Sequence, residues 1–322
     1  MEQIKTVALI GLGGIGCSLS RELCRAVGYE NFRVIADGAR RERLEEQGVT
    51  INGENCHFQI VSPGEQTTPA DLVIVTVKFG RLEQAIQDIA GQVGENTIIL
   101  PFLNGISAEK MIAEVYGWEH VIYGMVRRAV LMQNGVCTYD PNLGTYYFGE
   151  ANNHAISDRV ARVQELFDRA GLHYENPDDM IRIKWAKYMA NVSENQSAAI
   201  LGIPYAAWYE DGNDANWIRE ASCREVIAVA QRMGVDLGED DLIRQREMAK
   251  CVPAWGKPST LQDIEAGRPT EVEMFSGTLS RLGREYGVPT PISDLFYHMI
   301  RVLEQKNAGA WDEIMKRDVP SK

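Results

Sequence analysis

The chain is short of histidine, of positive charge and of paired cysteines, and each shortage removes a class of function. Its six cysteines, Cys17, Cys24, Cys56, Cys137, Cys223 and Cys251, include no C-x-x-C pair, which argues against a structural zinc site and a thioredoxin-like motif. Reduced, mostly buried thiols in a cytoplasmic protein are the expectation. The five histidines form no metal-ligand spacing, so no metal is expected. Lys and Arg number 33 against 45 Asp and Glu, a net charge of −12, which disfavours nucleic acid as a partner because such binding needs clustered basic residues against phosphates. An anionic small molecule remains open, since it needs one local cation and not a global field. No apolar run approaches the roughly 18 residues that span a bilayer. The N-terminus also lacks the charged, apolar and small-residue zones of a signal peptide. No membrane role is expected, and the mature protein is expected to begin at its first residue. Internal repeats and low-complexity stretches are missing too.

What is present is a chain of 322 residues, 45% hydrophobic, long enough for two domains. In the first half, short apolar runs alternate with helical patterns. Val7–Ile10, Arg33–Ala36, Leu72–Val77, Thr97–Phe102 and Val121–Gly124 are the strand candidates, and such alternation predicts βαβ units around a parallel sheet. Asn134-Gly135 supplies a tight hairpin turn, with Thr145–Gly149 as a partner strand in an antiparallel extension of the sheet. Asn176-Pro177-Asp178-Asp179 carries turn chemistry and acidic residues suited to a helix start. Beyond it, apolar residues recur at three- and four-residue spacing. The fold class is therefore α/β: a Rossmann-like dinucleotide-binding domain over residues 1–177 and an all-helical domain over residues 178–322.

Gly11-Leu12-Gly13-Gly14-Ile15-Gly16 fits G-x-G-x-x-G, directly after an apolar strand and before a helix-like segment. Gly11 would make the tight turn, Gly13 would admit the pyrophosphate, and Gly16 would let helix and strand pack closely, with the helix N-terminus meeting the negative charge. Asp37 lies about 20 residues further on at a strand end, where a carboxylate accepts hydrogen bonds from the adenine ribose; this favours NAD over NADP. Arg40 and Arg41 are close enough in sequence to offset its repulsion of a 2′-phosphate, and a plain turn residue before Gly38 is the other reading of Asp37.

In the second half, Lys187, Asn191 and Asn195 stand at four-residue steps and so project from one helix face. Asparagine is a poor helix former, so its repetition there asks for a reason beyond solvation. Ser259–Gln262 and Thr270–Glu273 fit the capping-box pattern, which makes Ser259 a helix cap and Glu271 a first-turn acid on the residues alone.

Taken together, Gly11–Gly16, Thr76-Val77-Lys78, Leu103-Asn104-Gly105, Trp185-Ala186-Lys187 with Asn191 and Asn195, and Ser259–Asp263 followed by Thr270-Glu271 resemble the ketopantoate reductase family over nearly the whole chain. The resemblance implies reduction of 2-dehydropantoate to pantoate with a nicotinamide cofactor, by family NADP, in pantothenate biosynthesis. It implies that Lys187 is the catalytic lysine and that Glu271 holds the substrate hydroxyl. Asn191, Asn195 and Ser259 become substrate contacts, Asn104 sits between nicotinamide and substrate, Lys78 lies near the cofactor, and Glu225 pairs with the lysine in an open form. Three positions depart from the family: Asp37, where many relatives carry an arginine; Gln196, where proline is usual; and Tyr205, where some place another asparagine.

As an ammonium, Lys187 would polarise the 2-oxo carbonyl and then deliver a proton. The nearest alternative is an NAD-dependent D-2-hydroxy-acid dehydrogenase of the mandelate-like type, with an opine-type dehydrogenase behind it. A dinucleotide-sensing binding protein without turnover is the reading from another class, and Lys187 and Glu271 argue against it. The expected partner is a small 2-oxo acid, and a homodimer is left open.

Overall fold

A computed structural model describes residues 2–315. The chain divides between Ile183 and Lys184 into two compact units.

The first unit is built on β1 (Val7–Ile10), α1 (Gly14–Val27), β2 (Phe32–Ile35), α2 (Gly38–Gln47), β3 (Val49–Ile51), β4 (Glu54–Cys56), β5 (Gln59–Val61), β6 (Leu72–Val75), α3 (Leu82–Asp88), β7 (Ile98–Pro101) and α4 (Ala108–Tyr116). It continues through β8 (Tyr123–Arg127), β9 (Leu131–Gln133), β10 (Val136–Thr138), β11 (Thr145–Gly149), α5 (Asp158–Ala170) and β12 (Tyr174–Glu175). The main sheet runs β5-β2-β1-β6-β7, all parallel. Its central strand is apolar throughout because both faces are covered. Val7 and Leu9 join a core cluster with Leu19, Leu23 and Phe167, whereas Ala8 and Ile10 join a second with Leu82, Ile86 and Ile112. The period of two thus divides one strand between two helical layers. Strand order reverses between β1 and β6, and in such sheets ligands bind beyond the carboxyl ends of the strands at that reversal.

The expected alternation is observed, with two differences. Asn134 (φ 49) and Gly135 (φ 79) make the hairpin turn between β9 and β10. That hairpin joins β3 and β4 in a separate sheet, while Thr145–Gly149 pairs antiparallel with β8 in a third. The strands β3, β4 and β5 had no sequence signal, being only three residues each.

In the second unit every assigned element is helical: the end of α6 (Met180–Ala190), α7 (Gln196–Leu201), α8 (Asp214–Arg232), α9 (Glu239–Lys250), α10 (Ser259–Glu265), α11 (Thr278–Tyr286), α12 (Pro291–Asn307) and α13 (Asp312–Met315). Asp179 starts α6 by accepting from the Arg182 amide at 2.8 Å, as its acidic side chain predicts. The expected unbroken α-helix through Asn195 is interrupted. Asn191–Asn195 forms a π turn, and Glu273–Gly277 forms a second one ahead of α11. No described helix is long and apolar enough to cross a membrane.

Candidate active site

In the first unit the expected cofactor residues collect beyond the carboxyl ends of the parallel strands. Gly11 follows β1 with φ 98, and a Cβ there would lie 2.6 Å from the Thr76 and Val77 backbone. A Cβ at Gly16 would come within 2.4 Å of the Gly11 carbonyl oxygen, so α1 packs onto the turn only because that position is bare. At Gly13 the nearest atom to a Cβ is 4.0 Å away, which leaves the backbone open to an approaching group. Helix α1 begins without a side-chain cap and without an acidic residue in its first turn. Its N-terminal amides and dipole therefore fit an anion such as a pyrophosphate. Below the turn, the Cys17 thiol contacts the Leu12 carbonyl at 3.8 Å, and its hydrogen bond with Cys137, reinforced by burial, pushes its pKa far up. The thiol stays neutral and adds no negative charge beneath the loop.

Asp37 ends the β2 crossover in extended backbone at the N-cap position of α2, exposed and without a capping bond. Arg40 donates to the Leu12 carbonyl at 2.6 Å, and Arg41 donates to Glu45 at 2.8 Å and to Ser62 at 2.6 Å. A cleft of about 630 Å³ opens beside the loop, lined among others by Leu12, Gly13, Arg40, Arg43 and Asn134. Exposed Lys78 follows β6, and half-buried Asn104 follows β7 beside Gly105 (φ 82). These residues fit a nicotinamide dinucleotide.

The second unit gathers the other expected residues around its two π turns, which pack on each other. Half-buried Lys187 lies one turn before Asn191. The Asn195 amide donates to Asn191 Oδ1 at 3.4 Å and to Ser259 Oγ at 3.2 Å, so the four-residue spacing does place both asparagines on one face. Asn191 is 9% exposed, and its Nδ2 has no acceptor among the described residues. Widening the turn disturbs the regular carbonyl pairing, and local side chains take up acceptors. Ser193 donates to the Met189 carbonyl at 2.7 Å, Gln196 to Val192 at 2.9 Å and Ser197 to Ser193 at 2.6 Å. Gln196, at the position where proline is usual in the family, thus has a use here as a donor to this turn.

Neither capping box forms. Ser259 is the first residue of α10, behind Pro258, and its hydroxyl accepts from Asn195, while Gln262 donates to the Lys257 carbonyl at 2.7 Å. Glu273 accepts from the Tyr297 phenol at 2.9 Å, and half-buried Glu271 precedes the π turn with its carbonyl accepting from the Phe275 amide. Glu225 also differs from expectation. Its oxygens accept from the Ile292 amide at 2.7 Å and from the Ser293 amide and hydroxyl at 2.9 and 2.6 Å, making it the cap of α12. A carboxylate on a helix N-terminus is held by both amides and dipole, which explains this use of a buried acid.

Tyr205 packs with Trp208 at a centroid distance of 5.5 Å, in the cluster of Ala198, Ala199 and Leu261 that adjoins Asn195 and Ser259 in sequence. Burial, then the nearby Glu194 carboxylate, pushes its phenol pKa up. A separate apolar groove of about 300 Å³, lined by Ile200, His298, Met299, Val302 and Leu303, contains none of the expected site residues. Among the described residues no group of three or more His, Cys, Asp or Glu side chains could hold a metal.

Comparison with known proteins shows the family and the fold. Residues 7–153 match the family model of ketopantoate reductase PanE/ApbA, and residues 179–304 match the model of its C-terminal part. A 2-dehydropantoate 2-reductase from Archaeoglobus fulgidus is 27% identical over 314 residues, covering 94% of this chain and 99% of the relative. Among solved structures, a ternary complex of D-mandelate dehydrogenase with NADH and anilino(oxo)acetate superposes with a TM-score of 0.83 at 23% identity, covering 94% of this chain and 99% of the other. A PanE/ApbA family ketopantoate reductase from Ralstonia eutropha JMP134 gives 0.79 at 24% identity, with coverage of 94% and 99%.

Proposed function

The chain belongs to the ketopantoate reductase family, and from that premise we propose that it is a nicotinamide-dependent oxidoreductase reducing a 2-oxo acid, 2-dehydropantoate to pantoate. The observation that carries the reading is the buried Asn191–Asn195 pair, one helical turn from Lys187 and joined to the hydroxyl of exposed Ser259, with an Asn191 amide still able to donate. A substrate carboxylate or carbonyl offers the acceptor such a donor requires.

Gly11–Gly16 would hold the dinucleotide, whose reduced nicotinamide would supply the hydride for the 2-oxo carbon. As charge builds on the carbonyl oxygen, the Lys187 ammonium stabilises it and donates the proton that completes the alcohol, a general-acid step worth about 10²–10⁴-fold. Asn191, Asn195 and Ser259 orient the acid, and Glu271 accepts a hydrogen bond from the substrate hydroxyl. In the first unit Gly11–Gly16 binds the pyrophosphate, Lys78 lies by the cofactor, and Asn104 serves the nicotinamide and the substrate.

NAD is the preferred cofactor in this reading. Exposed Asp37 offers a carboxylate to ribose hydroxyls, and Arg40 and Arg41 already donate to Leu12, Glu45 and Ser62. A second reading, an NAD-dependent D-2-hydroxy-acid dehydrogenase of the mandelate-like type taking an aryl 2-oxo acid, is favoured by half-buried Tyr205, an aromatic residue where some relatives place another asparagine.

One assay tests both, following NADH and NADPH absorbance with ketopantoate, phenylglyoxylate, pyruvate and branched 2-oxo acids. NADH oxidation fastest with ketopantoate is expected. Fastest turnover of phenylglyoxylate would install the second reading, and cofactor binding without any turnover would make the chain a dinucleotide sensor.

A further inference from the structure

Glu194 lies inside the π turn, between the two asparagines. Its carboxylate accepts from Gln245 of α9 at 3.1 Å and pairs with Arg219 of α8 at 3.4 Å. The two charged side chains are 4% and 1% exposed. Arg219 is under-satisfied: its Nε and Nη2 have no partner among the described residues. Such a pair is poorly explained by stability, because desolvating two charges cancels much of their attraction and apolar replacements of similar volume often do as well. Its attested use is to fix register. Register is what this turn needs. A π turn is an uncommon deviation within a helix, one residue out of step with the regular pairing, and relaxing it to α geometry would rotate Asn195 relative to Asn191.

We propose that Glu194 and Arg219 are positioning residues: their buried pair clamps the π turn onto α8 so that the Asn191 and Asn195 amides face the 2-oxo acid. This rests on the reading of Asn191 and Asn195 as substrate contacts. The pair acts through the asparagines on binding of the acid while leaving the dinucleotide loop alone. Gln245 holds the same carboxylate from α9, so the clamp has two helices behind it.

The test uses the full chain with NADH and whichever of ketopantoate or phenylglyoxylate turns over faster. Single substitutions that strand one charge risk misfolding, so the main variant is the double replacement Glu194→Leu with Arg219→Leu, supported by Arg219→Lys and by Asn191→Ala. The expected result for the double variant is a KM for the 2-oxo acid raised about tenfold or more, with NADH affinity within about twofold of wild type. Arg219→Lys keeps the charge without the planar fork and should fall between. A folded double variant with unchanged KM, while Asn191→Ala raises it, would overturn the positioning role alone, whatever happens to the melting temperature. An unchanged KM in Asn191→Ala would overturn the substrate role of that asparagine and this proposal with it.

Discussion

The phenol of Tyr188 donates a 2.6 Å hydrogen bond to the carbonyl of Phe275, tying the helix that carries Lys187 to the π turn that follows Glu271. Tyr188 is 1% exposed, and burial pushes its pKa well above the usual phenol range, so the donor keeps its proton. Tyr188→Phe preserves the ring and removes one of two donors to this carbonyl, which keeps the Thr278 amide, so the cost should be about 0.5–1.5 kcal/mol. Urea unfolding should show a lower midpoint with an unchanged slope. If the tie also sets Lys187 against Glu271, turnover should fall severalfold while NADH affinity stays constant. A wild-type midpoint would mean that water or another donor satisfies Phe275 equally well.

Lys187→Ala should separate chemistry from folding. The side chain is half-buried on α6 in the second unit, and the expected cofactor loop belongs to the first. Turnover should drop roughly 10²-fold or more, as expected for loss of a general acid, with cofactor affinity and melting temperature close to wild type. Turnover at the wild-type rate would remove Lys187 from the mechanism.

The parallel sheet and the fingerprint were legible because periodicity and glycine placement are local properties. Val7–Ile10 is apolar on both faces, and Gly16 is required by the Gly11 carbonyl in the same turn, whereas the close contacts of Gly11 are with the distant Thr76 and Val77 backbone. The second unit was legible only as helical. Its π turns carry tertiary contacts, Arg219 and Gln245 to Glu194 in the first and Tyr188 to Phe275 in the second, and nothing in the spacing of the asparagines announces a change from α geometry. Ser259 and Glu271 looked like capping residues because a hydroxyl followed by Gln or Glu is a strong local pattern. The structure gives the Ser259 hydroxyl to Asn195 and the Glu273 carboxylate to Tyr297. Glu225, which the resemblance pairs with the lysine in an open form, here caps a helix 67 residues away, a partner no local pattern reveals.

Cofactor choice turns on Asp37. NADH should bind at least as tightly as NADPH, since a 2′-phosphate beside an exposed carboxylate meets repulsion that ribose hydroxyls do not. Titration of both into the apo protein measures the difference, and Asp37→Ala should narrow it by weakening NADH. A tenfold preference for NADPH, about 1.4 kcal/mol, would show that Arg40 or Arg43 turns toward the phosphate and outweighs Asp37.

Acid stability should depend on Glu150. Burial opposes its ionisation, but hydrogen bonds from Arg159 (2.6 Å from Nε) and Ser157 (2.7 Å) outweigh that and hold the carboxyl below its ordinary pKa. A depressed folded-state pKa contributes stability above the unfolded value, and that contribution is lost as pH falls through the folded value. Glu150→Gln should therefore melt below wild type at pH 7, by an amount reflecting about 1–3 kcal/mol for charge-assisted bonds. The gap should close between about pH 5 and pH 3, because protonated wild type then resembles the variant. A gap independent of pH would assign the loss to shape and not to charge.

Glu271 offers the sharpest division between a structural and a functional role. It stands half-buried just before the second π turn, its carbonyl engaged by Phe275, while the acid at the true third position of the capping pattern, Glu273, reaches Tyr297. Glu271→Gln keeps the shape and the ability to hydrogen-bond and removes only the charge. If the carboxylate serves the helix dipole, the change should cost about 0.3–1 kcal/mol of stability with little kinetic effect. If it accepts from the substrate hydroxyl, a charged acceptor is lost and binding should weaken by about 1.5–3 kcal/mol. That is on the order of 10–150-fold in kcat/KM, and only for a substrate that carries the hydroxyl. Ketopantoate has it and phenylglyoxylate lacks it, so the ratio of the two specificity constants in wild type and variant isolates the contact. The expected outcome is a loss confined to ketopantoate. Equal losses on both substrates would place Glu271 near the reacting carbonyl or Lys187, and no loss on either, with a lowered melting temperature, would return it to the helix terminus.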